Sequence, residues 1–233
     1  MLSLILQGSF TFESVVAGIL AVLLIIFLIL PFHEWAHAFT AYLLGDKSIK
    51  YRGRLSLNPL SHIDPMGALF LLLVGFGWAK PVPVDPRNFK NPKFGMAVTA
   101  IMGPIANLVA AFIGLLILNS LEFFYNGFLD YTETGVFVHY FLDFYISCNI
   151  ILAVFNLIPI PPLDGSKVLF LFLPDKAVEF MYRYQQIFFL GLFVFIFLSR
   201  SNNIGIPGLS WITSSLYNGL DWLSSLPFRL FIH

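Results

Sequence analysis

Long uncharged runs limit what this chain can fold into more than any other feature of its sequence. Ser14–Phe32 holds nineteen consecutive uncharged residues, and Phe94–Leu121 is uncharged throughout. As a helix, the first run measures about 28 Å at about 1.5 Å per residue, close to the thickness of a bilayer's hydrocarbon core. Only 11% of the chain is charged, against about 25% of an ordinary soluble domain. The chain is therefore predicted to be a membrane protein.

Further apolar runs set the predicted number of spans. Val136–Ile158 is long enough to cross a bilayer although it contains Asp143, and Tyr184–Ser199 is shorter but rich in Phe and Leu. Ile204–Leu226 carries serines and aromatic residues, which fits either an interfacial amphipathic helix or a sixth span. We expect an all-α polytopic membrane protein with about five to six transmembrane helices, the C-terminal helices lying at about 176–231.

The region 46–93 differs from these runs because it is rich in charge, proline and glycine. Within it Met66–Gly77 is uncharged, but twelve residues are too few to span, which favours a re-entrant or interfacial hairpin. Ile49–Arg52, Leu55–Leu57 and Val82–Val84 show short extended patterns. We expect a small β and re-entrant segment here, on the cytoplasmic side between the first two transmembrane helices.

The distribution of basic residues predicts the orientation in the membrane. Eight of the thirteen Lys and Arg residues lie in Asp46–Lys93, whereas Glu122–Gly135 has three acids and no base. The positive-inside rule then places the basic region in the cytoplasm and the N-terminus outside. We expect a multi-pass protein of the cell membrane in contact with the lipid bilayer. Its net charge of zero leaves no basic footprint for nucleic acid, so no such partner is expected.

The first apolar run leads directly into His33-Glu34-Trp35-Ala36-His37, on a helix predicted to stop at Gly45. Two histidines four residues apart share a helical face and can bind one Zn²⁺ together. Glu34 beside them can take a proton from a water that the metal activates. The alternative is a pair of histidines that snorkel from a helix end. An unpartnered acid at the hydrocarbon edge costs about 2.5–3.5 kcal/mol, which favours a function for Glu34.

A catalytic zinc commonly has three protein ligands, so the two histidines need a third residue. The candidates are His62, Asp64, His139, Asp143 and Asp164. By the predicted topology His139 and Asp143 lie at the outer end of their helix, whereas the HEWAH motif lies at the cytoplasmic end. Asp164 follows three prolines on the cytoplasmic side, and these unwind the chain so that its carboxylate can turn back. The alternative for Asp164 is a helix N-cap.

Several motifs together resemble the site-2 protease family of intramembrane zinc metalloproteases, peptidase family M50. They are HEWAH, Asn58-Pro59 with His62-Ile63-Asp64-Pro65, Gly103-Pro104-Ile105-Ala106-Asn107, and the segment FNLIPIPPLDG that ends at Gly165. The resemblance covers about residues 15–173, the predicted catalytic core of a single domain over residues 1–233. It implies that His33, His37 and Asp164 bind one Zn²⁺ per chain and that Glu34 is the general base.

The resemblance also implies a substrate class. Members of this family cleave single-span membrane proteins within or next to the bilayer, such as membrane-tethered anti-sigma or transcription factors, or remnant signal peptides. The chain has no segment long enough for the PDZ or CBS domains common in the family, so we expect the compact prokaryotic type. The alternatives are a non-catalytic zinc-binding membrane scaffold and a metal transporter. A transporter is disfavoured because its ionisable residues would line the midplane.

Three asparagines in apolar runs are candidate contacts for substrate or for the transition state. They are Asn107, Asn149 and Asn156. A side-chain amide can donate to a substrate carbonyl or to the oxyanion that develops from it. The alternative is a hydrogen bond between helices. Gly103 and Pro104, one turn before Asn107, are also consistent with a plain packing kink.

Overall fold

The computed structural model describes residues 19–74, 77–125, 127–201 and 209–229, most of which are helical. The helices in chain order are α1 Ile19–Leu43, α2 Ser48–Tyr51, α3 Pro65–Val74, α4 Pro92–Phe124, α5 Phe128–Tyr131, α6 Glu133–Asn156, α7 Asp164–Leu169, α8 Asp175–Arg183, α9 Gln185–Ser201 and α10 Leu209–Arg229. The chain forms two compact units that divide after Gly103, inside α4.

Three of these helices, α1, α4 and α6, are long and apolar enough to cross a membrane. This confirms the prediction of an all-α membrane protein. The apolar part of α9, Gln185–Phe195, is shorter than a span, so the expected number of five to six spans stays a prediction. The predicted start of the first helix at Ser14 lies outside the described residues.

The predicted β segment is wrong in the part of the chain that the structure describes, where no strand occurs. Ile49 to Tyr51 belong to the short helix α2, which a turn at Gly53 with φ +67° follows. The residues around Val82 form no ladder, because Pro81 and Pro83 have no N–H to donate to a neighbouring strand. In the predicted re-entrant or interfacial hairpin over Met66–Gly77, the residues as far as Val74 belong to the ten-residue helix α3, and the hairpin itself stays a prediction.

Helix α1 ends where the sequence predicts. Leu43 is its last residue, and Gly45 follows with φ +124°, a backbone conformation that favours glycine. Ahead of the HEWAH motif, the N–H of Leu30 donates to the carbonyl of Ile25, five residues earlier, in a π-helical stretch over Ile25–Ile29. Pro31 has no N–H to donate, and in a regular α-helix its ring would clash with the carbonyl four residues earlier. A wider, π-helical turn at this point is therefore the expected adjustment.

In the first unit, α1 packs through small residues. Ala38 and Ala41 are fully buried with Ile49 and Phe89, and Val82 and Val84 are among the partly buried residues against them. Alanine on a helix lets a neighbouring backbone approach closely. Val82 and Val84 therefore pack against a cluster to which the HEWAH-bearing helix contributes Ala38 and Ala41.

In the second unit, α4 and α6 pack along their lengths. The buried residues of this core are Ala111, Leu115, Leu118, Leu129, Leu142, Ile146, Ile150 and Val154. Leu209, Leu216, Tyr217 and Leu220 of α10 pack against them. Polar contacts occur at the same interface: Tyr217 donates to Asp143 at 2.9 Å, and Asn119 donates to Asp221 at 3.1 Å and to Ser224 at 2.8 Å. Asp143, the acid inside a predicted span, thus has a hydrogen-bond donor.

Candidate metal centre

His33 and His37 lie one turn apart on α1 and their rings meet. The two Nε2 atoms are 3.0 Å apart and the rings lie edge to face at 86°. Both side chains are buried, with 4% and 8% of their surface exposed. Two neutral imidazole nitrogens at this distance need a proton or a cation between them, because two facing lone pairs repel. The pair therefore has the donor chemistry of a metal site.

The second nitrogen of His37 is held by the backbone of α4. Nδ1 of His37 lies 2.8 Å from the carbonyl oxygen of Thr99. Since a carbonyl only accepts, Nδ1 carries the proton and donates it, which leaves the lone pair on Nε2 for a metal. The contact thus orients the ring and selects the tautomer that a metal ligand requires.

Gly103 makes room for both rings. It lies one helical turn after Thr99 on α4, and a Cβ built at this position would collide with Cε1 and Nε2 of His37. The same Cβ would lie 2.6 Å from Cε1 of His33. Any larger residue here would push the two imidazoles out of their present positions. Gly103 thus forms part of the wall around the histidine pair.

Asp164 begins the short helix α7. Asp164 is 7% exposed, and Nζ of Lys167, one turn later, forms an ion pair with Oδ1 of Asp164 at 3.0 Å. Leu163 is the N-cap of α7, so the alternative of Asp164 as the N-cap is wrong. As the first residue of a helix, its carboxylate lies at the end where the macrodipole favours negative charge.

The structure brings one ligand atom from each of His33, His37 and Asp164 within 4.8 Å of the other two. Two imidazoles and a carboxylate are a donor set that suits zinc. The other candidates have different partners: Nε2 of His62 bonds the carbonyl of Ser56 at 2.7 Å, and Asp64 accepts from the N–H of Gly67 at 2.8 Å. Asp143 accepts from Tyr217, as described above, and the ring of His139 lies beside that of Tyr140.

Glu34 follows directly after the first histidine and is partly exposed. Its Oε2 accepts a hydrogen bond from the backbone N–H of Val82 at 3.2 Å. The carboxylate therefore has a fixed donor on one oxygen and access to solvent. A group that takes a proton from water needs both a defined orientation and contact with that water.

The three asparagines differ in their hydrogen bonding. Asn107 is fully buried, and neither polar atom of its side chain has a hydrogen-bond partner among the described residues. Asn149 and Asn156 each donate to a carbonyl one turn earlier in α6, that of Tyr145 at 2.9 Å and that of Leu152 at 3.0 Å. Of the three asparagines, only Asn107 has a side-chain amide whose nitrogen and oxygen both lack a hydrogen-bond partner among the described residues.

The model of Peptidase family M50 matches residues 21–199, most of the chain. The chain belongs to peptidase family M50. This M50 peptidase is a membrane-embedded zinc metallopeptidase, since the family, the named relatives and the ligand set agree. No solved structure is significantly similar to it.

Relatives of this M50 peptidase are also named as zinc metalloproteases. It is 42% identical over 176 residues to "Putative zinc metalloprotease YwhC" of Bacillus subtilis (strain 168), covering 73% of this chain and 80% of the relative. It is 32% identical over 142 residues to "Putative zinc metalloprotease Rip2" of Mycolicibacterium smegmatis, covering 59% of this chain and 51% of that relative. The Rip2 of Mycobacterium tuberculosis (strain H37Rv) is 30% identical over the same length, with the same coverage.

Sequence patterns assign no role at the metal centre to two residues of this site. Thr99 acts through its backbone carbonyl, so its side-chain identity carries no signal. Gly103 belongs to a family motif and is consistent with a kink, and neither observation indicates contact with the histidines. Thr99, Gly103 and Asn107 are spaced by four residues, which places them on one face of α4. That spacing was available in the sequence, but only contact with His37 shows what the face does.

Proposed function

We propose that this M50 peptidase hydrolyses a peptide bond in single-span membrane proteins, as a regulated intramembrane protease. His33, His37 and Asp164 would hold one zinc ion, and Glu34 would act as the general base. The observation that carries the proposal is the set of three buried ligand atoms within 4.8 Å of one another, two of them on an apolar helix beside Glu34.

The roles of the residues follow from their chemistry. Bound zinc supplies Lewis-acid chemistry, which lowers the pKa of a water molecule to about 7 and polarises a peptide carbonyl. Glu34 accepts the proton of the attacking water and passes it to the leaving amine, and its hydrogen bond from Val82 orients it for both transfers. Thr99 and Gly103 keep the imidazoles in place throughout.

Asn107 is proposed to contact the substrate or the developing oxyanion. Its amide is buried without a partner in the described part of the chain, and such a group costs free energy unless something bonds to it. It follows Gly103 by one turn on the same helix. Asn149 and Asn156 are proposed as weaker contacts, because the side-chain amide of each already donates a hydrogen bond to a backbone carbonyl of its own helix.

The proposed orientation and substrates follow from charge and from the family. The concentration of basic residues in 46–93 supports a site that faces the cytoplasm, with the N-terminus outside, in the cell membrane. Proposed substrates are membrane-tethered anti-sigma or transcription factors and remnant signal peptides. The alternative of a scaffold or transporter gives no task to a carboxylate held beside two zinc ligands.

Comparison of Glu34→Gln with the wild type tests the proposal. Both proteins are purified in detergent, their zinc is measured by mass spectrometry, and a tagged single-span substrate is assayed by gel. We expect about one zinc per chain in both and a loss of about 100-fold or more in turnover for the variant. The control Glu179→Gln changes an exposed acid paired with Arg183 on α8 and should keep full activity. Equal turnover of Glu34→Gln and wild type would refute the enzymatic assignment of Glu34.

A further inference from the structure

The segment from Lys80 to Asp85 places one backbone donor between two prolines. Its sequence is Lys-Pro-Val-Pro-Val-Asp, so Pro81 and Pro83 flank Val82. Neither proline has an N–H, and each restricts both its own φ and the residue before it to extended conformations. Val82 therefore offers the single N–H of residues 81–83, on a stretch of chain with little freedom to turn it elsewhere.

That N–H is directed at the carboxylate beside the zinc ligands. It donates to Oε2 of Glu34 at 3.2 Å, across 48 positions of sequence. Val82 and Val84 pack against a buried cluster that includes Ala38 and Ala41, the small residues of α1 that follow Glu34 by one and two turns. This packing helps to hold the donor beside the helix that carries its acceptor.

Asp46 anchors the far end of this segment. It is fully buried just beyond α1, and its carboxylate accepts from the N–H of Asp85 at 2.8 Å and from the side-chain amide of Asn88 at 2.7 Å. The N–H and hydroxyl of Ser48 also donate to it, at 3.2 and 2.6 Å. Burial by itself raises the pKa of Asp46, but these hydrogen bonds outweigh it and the pKa lies below its ordinary value. An ionised Asp46 thus joins the end of α1 to residues 85 and 88.

We infer that the Pro81-Val82-Pro83 segment, clamped by Asp46, positions the carboxylate of Glu34 for proton transfer. The inference rests on the proposed function, in which Glu34 is the general base. With one oxygen held by Val82, rotation of the carboxylate is restricted and the other oxygen keeps a defined direction. Asp46 acts through the segment, 12 residues from Glu34 in sequence, and is a positioning residue.

The direct test compares Val82→Pro with Val82→Ala. Alanine keeps the N–H and loses side-chain packing, whereas proline loses the N–H on a stretch whose neighbours are already proline. We expect turnover of Val82→Pro to be about 10-fold below that of Val82→Ala, with about one zinc per chain and a similar KM in both. Equal turnover at equal zinc content would overturn the inference.

A second test examines the clamp. Asp46→Asn places an amide N–H₂ against at least one of the present donors, so we expect faster hydrogen–deuterium exchange in a peptide over Lys80–Asp85 and a fall in turnover of about 10-fold. Zinc content should not change. Arg87→Gln, which breaks only the exposed ion pair with Asp85, is the matched control and should match the wild type. Unchanged exchange and turnover in Asp46→Asn would contradict the proposed clamp.

The double variant Asp46→Asn/Val82→Pro shows whether Asp46 acts through Val82. If it does, the double variant turns over no more slowly than Val82→Pro alone, whereas independent effects would multiply. Where Val82→Pro fails to fold, exchange and turnover of Asp46→Asn decide the question. Failure of the inference can be told apart from failure of the proposed function. If Glu34→Gln is inactive but Val82→Pro and Val82→Ala have equal turnover, only the positioning role of Val82 is refuted. If Glu34→Gln is as active as the wild type, the proposed role of Glu34 as general base is refuted.

Discussion

At the scale of single residues, the site depends on atoms that have no side-chain chemistry of their own. The carbonyl of Thr99 sets the tautomer of His37, the absent Cβ of Gly103 leaves space for two rings, and the N–H of Val82 holds Glu34. Backbone groups and missing atoms cannot be replaced by a rotamer change in a neighbour. We therefore expect this site to be more sensitive to backbone substitutions than to most side-chain changes around it.

Gly103→Ala should weaken zinc binding. The added methyl group would overlap the ring of His37 and crowd that of His33, so the two Nε2 atoms could no longer point at one ion. We expect a loss of zinc affinity of about 10-fold or more, a scale that second-shell substitutions commonly reach, measured by competition with a chromogenic chelator.

Gly114→Ala is the matched control for this prediction, since it lies on the same helix 11 residues later. Its Cβ would meet the side chain of Ile146 at 2.8 Å, so it tests the general effect of a methyl group on helix packing. Gly114→Ala should retain zinc. Full zinc affinity in Gly103→Ala would show that the histidine pair can move aside without loss.

At the scale of elements, polar contacts fasten α10 to the long helices of its unit. Asp143 in α6 pairs with Tyr217, and Asn119 in α4 pairs with Asp221 and the fully buried Ser224. In an apolar surrounding, such groups are stable only when their partners are present. These contacts explain why α6 keeps an acid in its apolar sequence and why α10, rich in serine, packs on an apolar core.

Asn119→Leu should loosen α10. The substitution leaves Asp221 and Ser224 without their amide donor and places an apolar side chain against them, which we expect to cost about 1–2 kcal/mol. The free energy of unfolding in mixed detergent micelles measures this. As a control, Ser214→Ala removes an exposed hydroxyl of α10 that bonds only to the backbone of that helix. Its free energy of unfolding should stay within about 0.5 kcal/mol of the wild-type value. Identical stabilities of the two variants would argue against a docking role for Asn119.

At the scale of the whole molecule, metal binding and stability are expected to be linked. A ligand that binds only the native state stabilises it by RT ln(1 + [L]/Kd), about 4 kcal/mol at a free concentration of about 1,000 Kd. Asp164 lies 127 positions after His37 in sequence (164 − 37), so an unfolded chain holds no such site.

Zinc removal should therefore lower the unfolding temperature of the wild type. We expect a chelator to reduce Tm by several degrees and added zinc to restore it, as measured by intrinsic fluorescence of the four tryptophans. In His33→Ala neither treatment should shift Tm, because one ligand is missing. A wild-type Tm that does not respond to the chelator, at proven zinc loss, would contradict the linkage.

The sequence by itself determined the membrane class, the apolar helices, the end of α1 at Gly45 and the histidine pair of the metal site. These features are local, because the length of an apolar run and the i, i+4 spacing of two residues are properties of a single helix. Charge topology and family resemblance favour Asp164 as the proposed third ligand, and Asp164 belongs with the two histidines to a group that could hold a metal ion.

Only the tertiary structure decided the remainder. The extended patterns at Ile49 and Val82 predicted strands, but a strand needs a partner with free N–H groups, and α2 and the prolines provide none. Gly103, Thr99, Val82 and Asp46 have their roles through contacts across 39 to 70 positions of sequence. Thr99 and Val82 act through backbone groups, and the carboxylate of Asp46 and the missing Cβ of Gly103 matter only because other segments pass close to them. Residue identity alone does not encode that proximity.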